Sequence, residues 1–261
     1  MDGLLLLTLG VVGLASGIVM SLVGASAVMV IVPVLSILLD YGIHTAIGVS
    51  LLVDVLASIA VGYTYWRNGN VDLSRGLWIA LGSVFGAQLG ALFTVSIPSG
   101  FLAASYGLWM VIAGAVIWRK GLDRTAVVER FSRYFQFNSS ARRIGIALIL
   151  GFAIGVNAGI FGAGGGVLIM MVLIFVMDYP IHRAVGTSTI IMAVTAASAA
   201  TGYLIQGNID VYASLIIVVG TIIGGVGGAR YANLASEEVL SKMVGGIFIV
   251  LGLVMTFLRL L

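Results

Sequence analysis

The chain has no cysteine and only 3 prolines and 2 histidines among its 261 residues. Without cysteine, neither a disulfide framework nor a thiolate metal site is possible. Two histidines and few carboxylates also leave too little for an ordinary metalloenzyme, so no metal site or cofactor is expected. Charge is the next scarcity. Only 9% of the residues are charged against 61% hydrophobic, whereas a soluble domain carries roughly 25% charged residues. That deficit points to an integral membrane protein. No serine–histidine–acid set or paired carboxylates at chemical depth are visible, and the glycine runs lack the lysine of a nucleotide-binding loop. Catalysis therefore has no visible machinery, and the chain reads as a non-enzyme.

What is abundant is glycine, 36 residues of it. Gly162-Ala163-Gly164-Gly165-Gly166 and a fainter copy, Gly24-Ala25-Ser26-Ala27, interrupt long apolar runs. Irregular backbone at membrane depth is tolerated only where protein buries it or where it lines a polar cavity. A glycine break that resumes as a helix offers free N–H groups and the positive end of a dipole, which suits an anion. Helix crossing at small residues is the structural alternative.

Apolar runs predict ten helical segments, near 3–23, 26–39, 43–65, 73–95, 99–118, 143–161, 165–177, 181–204, 211–233 and 238–259. The second five repeat the first. Sliding residues 17–116 by 138 positions without a gap gives 27 identities in 100. The strongest blocks set Asp40–Ser50 over Asp178–Ser188, and Gly69-Asn70-Val71-Asp72 over Gly207-Asn208-Ile209-Asp210. Gly82, Gly86 and Gly90 fall over Gly220, Gly224 and Gly228, each trio a stripe along one helix face that suits packing.

The domain division is thus a first membrane repeat at 1–118, a basic linker at 119–142, and a second repeat at 143–261. Seven of the 13 basic residues lie between Arg119 and Arg143, which fixes the linker in the cytoplasm. Within it, Val127–Phe135 mixes aromatics with arginines and suits a short helix on the inner leaflet. Residues 1–39 are too long for one crossing and must turn near Gly24. Each half then crosses an odd number of times, so the repeats are expected to be inverted, with both termini outside. A parallel repeat would instead place Arg183, Arg230 and Lys242 outside. The fold class is all-α, two inverted repeats of about five segments, the first pair in each half a broken or re-entrant hairpin.

Further polar residues have two readings. Ser50 and the run Thr187-Ser188-Thr189 are either donors to an oxyanion or hydroxyls bonded back to their own helix. Asp54 is the acidic residue well inside a predicted span, and its repeat partner is Met192. An intramembrane carboxylate is costly and usually functional, so Asp54 is the candidate for proton or sodium coupling. Gln88 and Asn157 suit helix–helix hydrogen bonds. Asp40, Asp178, Asp72 and Asp210 precede apolar segments and are expected to be N-caps. His44 and His182 suit satisfied interfacial positions.

The glycine break followed by an apolar helix, His182-Arg183-Ala184-Val185-Gly186-Thr187-Ser188 and then Gly207-Asn208-Ile209-Asp210 resemble the TauE/SafE sulfite exporter family across both halves, the central linker excepted. The resemblance implies a secondary transporter of sulfite, sulfoacetate or related sulfur-containing anions across the cytoplasmic membrane, mostly outward. The expected site combines Gly24, Ala25, Ser26, Ser50, Gly162, Ala163, Gly164, Gly165, Gly166, Thr187, Ser188 and Thr189, with Asp54 as the coupling residue. Partners are then the anion, the bilayer and a coupling proton or sodium ion, with no nucleic acid. The first half departs from the pattern at Ser26-Ala27-Val28 and Val49-Ser50-Leu51. A passive anion channel and a non-transporting membrane scaffold remain as rival classes.

Overall fold

A computed structural model describes residues 3–23, 26–120, 140–162, 165–232 and 237–260. These form α1 (Gly3–Val23), α2 (Val28–Leu38), α3 (Ile43–Arg67), α4 (Leu73–Thr94), α5 (Ser99–Lys120), α6 (Ser140–Phe161), α7 (Gly165–Phe175), α8 (Ile181–Ile205), α9 (Val211–Ala232) and α10 (Glu237–Leu260). All ten expected segments are present, most within two or three residues at either end. The described residues contain no strand. By length and composition α3, α4, α5, α6 and α8 can each cross a membrane. The chain is an all-helical, multi-pass membrane protein. The expected linker helix at 127–135 lies outside the described residues.

α2 and α7 have 11 residues each. At 1.5 Å per residue they extend about 16 Å, half of the roughly 30 Å hydrocarbon core. They are half-helices, as the glycine breaks before them suggest.

The chain divides into two compact units. The first contains Met1–Val53, Thr94–Asp123 and Gly207–Leu261, and the second Asp54–Phe93 and Arg124–Gln206. Each unit therefore draws helices from both sequence repeats. The reason lies in the glycine stripes. A Cβ at Gly82, Gly86 or Gly90 on α4 would strike the backbone of α6 at Leu148, Phe152 and Val156. Reciprocally, Gly151, Gly155 and Gly159 on α6 abut Ile79, Ser83 and Ala87 of α4. Only residues without side chains let two helix backbones approach so closely, and dispersion over that contact holds helices together in lipid. The first unit repeats the arrangement: Gly13 and Gly17 of α1 abut Ile217 and Thr221 of α9. Each of those numbers differs by 138 from its counterpart in the second unit.

The correspondence extends further. Gly48 lies against the Asn208 carbonyl and Gly186 against that of Asn70. In the first unit Gly107 and Gly114 of α5 meet Gly252 and Gly245 of α10, so these two equivalent helices run antiparallel. In the second unit, Gly62 meets Ile190 and Tyr65 meets Gly186, so α3 and α8, also equivalent, run antiparallel.

The four aspartates divide two and two. Asp72 Oδ1 accepts the Ser74 N–H at 3.0 Å, and Asp210 Oδ1 accepts that of Ala213 at 2.9 Å, so these are N-caps. Asp40 and Asp178 are not. They have φ of 52° and 56° and terminate the preceding half-helices. There Tyr41 N–H reaches back to Leu35 O and Tyr179 N–H to Leu173 O, the six-residue return of a helix C-terminus. Asp178 also pairs with Arg143.

Ser74, through its hydroxyl and its amide, holds the Asp72 carboxyl below the usual carboxylate range, and Arg183 adds to this. A carboxyl depressed in the folded state stabilises above its unfolded pKa, about 4, and that contribution is lost as pH falls through the lowered folded value. Asp72→Ala is expected to lower stability by about 1 kcal/mol at neutral pH. Thermal unfolding in detergent should show the difference from wild type shrinking on acidification below about pH 4.

Candidate functional site

The second glycine break is where two helix ends meet inside the apolar region. α6 terminates at Phe161, and Gly162 follows at φ 70°, a left-handed position that glycine takes without a Cβ penalty. Its N–H closes on Ala158 O at 2.7 Å. The carbonyl end of α6 is further satisfied from α8. The Tyr203 hydroxyl, fully buried, donates to Gly159 O at 3.1 Å and lies 3.3 Å from Ile160 O. The negative end of α6 is thus covered by a protein donor.

The positive end of α7 is built differently. The first four N–H groups of any helix have no intrahelical acceptor. At α2 the chain supplies one itself, because Ser26 Oγ accepts the Val28 N–H at 3.2 Å. The residue 138 positions after Ser26 is Gly164, which has no side-chain oxygen. Gly165 and Gly166, the first two residues of α7, likewise add none. Gly165 is buried, and a Cβ there would find only ordinary contacts, with Ile169 at 3.7 Å and Met192 at 3.9 Å. At Gly166 a Cβ would meet Met192 Sδ at 2.8 Å. The polarizable thioether therefore packs directly on the start of α7. A helix start of glycines with its macrodipole directed at the break is suited to an oxyanion that accepts backbone N–H groups.

The hydroxyls expected to help are engaged elsewhere in this conformation. Thr187 Oγ1 accepts the Asp72 N–H at 2.9 Å and lies 3.3 Å from Asp72 O, tying the turn before α4 to α8. Ser188 and Thr189 both donate to Val185 O, at 3.0 and 2.8 Å. Ser50, in the first unit, donates to Ile47 O at 2.7 Å, the equivalent bond one repeat earlier to that of Ser188. An anion would draw on these hydroxyls only after they rotate off their carbonyls, at a cost of about 1 kcal/mol each. Thr187 also lies five residues before Met192, about 7.5 Å of helix rise from the level of Gly166. Nearer that level is a buried pair the sequence did not single out: Ser83 and Thr195 hydroxyls, 2.6 Å apart.

Asp54 is buried at 1% exposure within α3, in the second unit. His44 is satisfied, with Nε2 at 3.1 Å from Thr94 O. The His182 side chain, Gly24, Ala25, Ala163 and Gly164 lie outside the described residues. Among the described residues no group of three or more His, Cys, Asp or Glu is placed to hold a metal ion.

The sulfite exporter TauE/SafE family matches residues 9–255. The probable membrane transporter protein YdhB of Bacillus subtilis is 29% identical, over 87% of this chain and 91% of its own length. A second Bacillus subtilis protein, the probable membrane transporter YunE, is 26% identical over 93% and 94% of the two chains. A probable membrane transporter of Methanocaldococcus jannaschii is 27% identical over 97% and 96%. No solved structure matches the chain.

Proposed function

Because the chain belongs to the sulfite exporter TauE/SafE family of membrane transporters, we propose that it moves sulfite or a small organosulfonate across the cytoplasmic membrane, outward, as a secondary transporter. The observation that carries this reading is the start of α7, a helix N-terminus of glycines within an apolar stretch, with glycine where its repeat counterpart has a serine that accepts a first-turn N–H. A sulfite or sulfonate group has three oxygens on one centre, and convergent backbone N–H groups suit it without any basic side chain. The amides from Gly164 to Gly166 are its first ligands. Ser188 and Thr189 on α8 join on rotation.

Alternating access follows from inverted repeats. The antiparallel course of α5 against α10, and of α3 against α8, supports inversion, since equivalent helices of parallel repeats would run the same way. With the linker at 119–142 in the cytoplasm, both termini face outside. Asp54 is the coupling residue for a proton or sodium ion. The reading is tested by equilibrium binding of radiolabelled sulfite to the purified protein. Saturable binding displaced by sulfoacetate but not by chloride is expected. Binding no greater than to protein-free micelles, for both sulfite and sulfoacetate, would remove the anion site.

A further inference from the structure

We propose that Asp54 and Ser58 hold one monovalent cation, a sodium ion or a proton, and, resting on the transport reading above, that this cation drives the anion. The two residues lie four apart on α3 and so share a face one helical turn apart. Both are inside the protein, at 1% and 0% exposure. Among the described residues Ser58 Oγ has no hydrogen-bond partner. That is unusual here, because the other buried hydroxyls of the second unit are engaged: Ser83 with Thr195, Ser188 with Val185 O and Thr187 with Asp72. A serine in an apolar helix ordinarily bonds back to the preceding turn, and an unsatisfied buried hydroxyl is costly.

The duplication shows that packing does not require these oxygens. Residues 138 positions later are Met192 for Asp54 and Ala196 for Ser58, both apolar and both buried. The polar pair is present together in one repeat and absent together in the other. The equivalent helix closes its contacts with a thioether and a methyl, so the pair serves something other than architecture.

The surroundings fit a small cation. Gly62 against Ile190 and Tyr65 against Gly186 set an antiparallel register between α3 and α8. Continued toward the start of α3, it carries Ser58 to the level of Ala193 and Val194 and Asp54 to the level of Ala197 and Ser198. Ser198 donates its proton to Val84 O at 2.8 Å, which leaves its oxygen lone pairs as acceptors at the same depth. Carboxylate and hydroxyl oxygens are hard ligands suited to a hard cation. One carboxylate is neutralised by one positive charge, whereas a divalent ion would leave a net charge at membrane depth. Elsewhere in α4, α6, α7 and α8 the titratable side chains are Arg75, Arg142, Arg143, His182, Arg183 and Tyr203, the first five in the opening turns of their helices. Later in α3 they are Tyr63, Tyr65 and Arg67.

The test uses the full chain, purified, with thermal unfolding followed while sodium chloride replaces choline chloride at constant ionic strength. Wild type is expected to show a saturating rise in Tm, lost in Asp54→Asn and shifted about tenfold in sodium midpoint by Ser58→Ala. Ser58→Ala without sodium should unfold no lower than wild type, because it removes an unsatisfied hydroxyl; a purely structural serine would give a lower Tm. If sodium has no effect on wild type, the proton arm decides. Sulfite accumulation driven by a pH gradient at fixed sodium should then fail in Asp54→Asn and weaken in Ser58→Ala, while both variants keep the wild-type size-exclusion profile. Gradient-driven accumulation equal to wild type in both variants, with no sodium effect, overturns the site. Absence of counterflow in wild type would instead refute the transport reading, leaving the sodium titration to decide the cation site alone.

Discussion

Gly164→Asp is expected to abolish sulfite binding and flux, by roughly a hundredfold or more, without unfolding the protein. α7 begins at Gly165, and a side-chain oxygen introduced just before a helix start can accept the N–H groups of its first turn. An aspartate there supplies a tethered carboxylate to the amides that the substrate would use. Hydrogen bonds to a charged group contribute about 1.5–3 kcal/mol each, and losing two of them accounts for the expected factor. The carboxylate is itself favoured by the helix dipole, which is why the fold should persist. Gly164→Ser introduces the serine that the other repeat has at the equivalent position, Ser26, and should weaken binding by about tenfold, since a neutral acceptor is displaced more readily. The pair of variants, compared by radiolabelled sulfite binding and size-exclusion profile, separates occupation of the site from damage to it. Normal binding by Gly164→Asp would take the anion away from the start of α7.

The second large effect is on stability. Gly155→Ala is expected to prevent recovery of folded protein. Its Cβ would lie 2.7 Å from Ser83 Cα and 2.8 Å from Ala87 N, and closer still to Ser83 O. Every one of these atoms is backbone, so no rotamer relieves the clash and α4 must part from α6. Overpacking alone costs typically 1–3 kcal/mol, and separating the two helices also forfeits the contact on either side. Gly17→Ala should behave alike, because it meets Thr221 and Gly225 of α9 in the same way. Gly10→Ala and Gly145→Ala are the controls. A Cβ at either finds nothing within 4 Å, and alanine is the better helix former by about 1 kcal/mol. Fluorescence-detected size-exclusion chromatography after detergent extraction would report all four.

Much of this fold was legible because the membrane makes sequence signals coarse and strong. Apolar runs bounded by Asp, Gly-Asn or basic residues place the ten helices, and a fixed shift of 138 residues identifies the duplication. The composition of the compact units was not legible. A duplication marks covalent halves, whereas packing follows where the glycine stripes fit, and Gly82, Gly86 and Gly90 fit against the α6 backbone of the other half at Leu148, Phe152 and Val156. Asp40 and Asp178 were misread for a related reason. An aspartate before an apolar run has the same appearance whether it caps the next helix or takes the left-handed conformation that closes the previous one, which short polar side chains tolerate.

The site was legible as a backbone feature only. Glycines 162–166 announce a break, and α7 does start within it. The hydroxyls of Thr187, Ser188 and Thr189 were visible as a cluster, but their bonds to Asp72 and Val185 depend on rotamers that sequence does not display. Tyr203 and Met192 were missed as site neighbours, since a tyrosine and a methionine in an apolar helix look like ordinary core. Ser58 was missed because one serine among aliphatics is unremarkable until its hydroxyl is found without a partner and its repeat counterpart is an alanine.

The most direct measurement is uptake of radiolabelled sulfite into proteoliposomes, with and without a pH or sodium gradient, against protein-free vesicles. Saturable uptake that accumulates under a gradient and disappears with Gly164→Asp is the predicted result. Flux that rises without saturation would make the protein a channel. No flux of sulfite, sulfoacetate or other small sulfonates in vesicles holding folded protein would contradict the account.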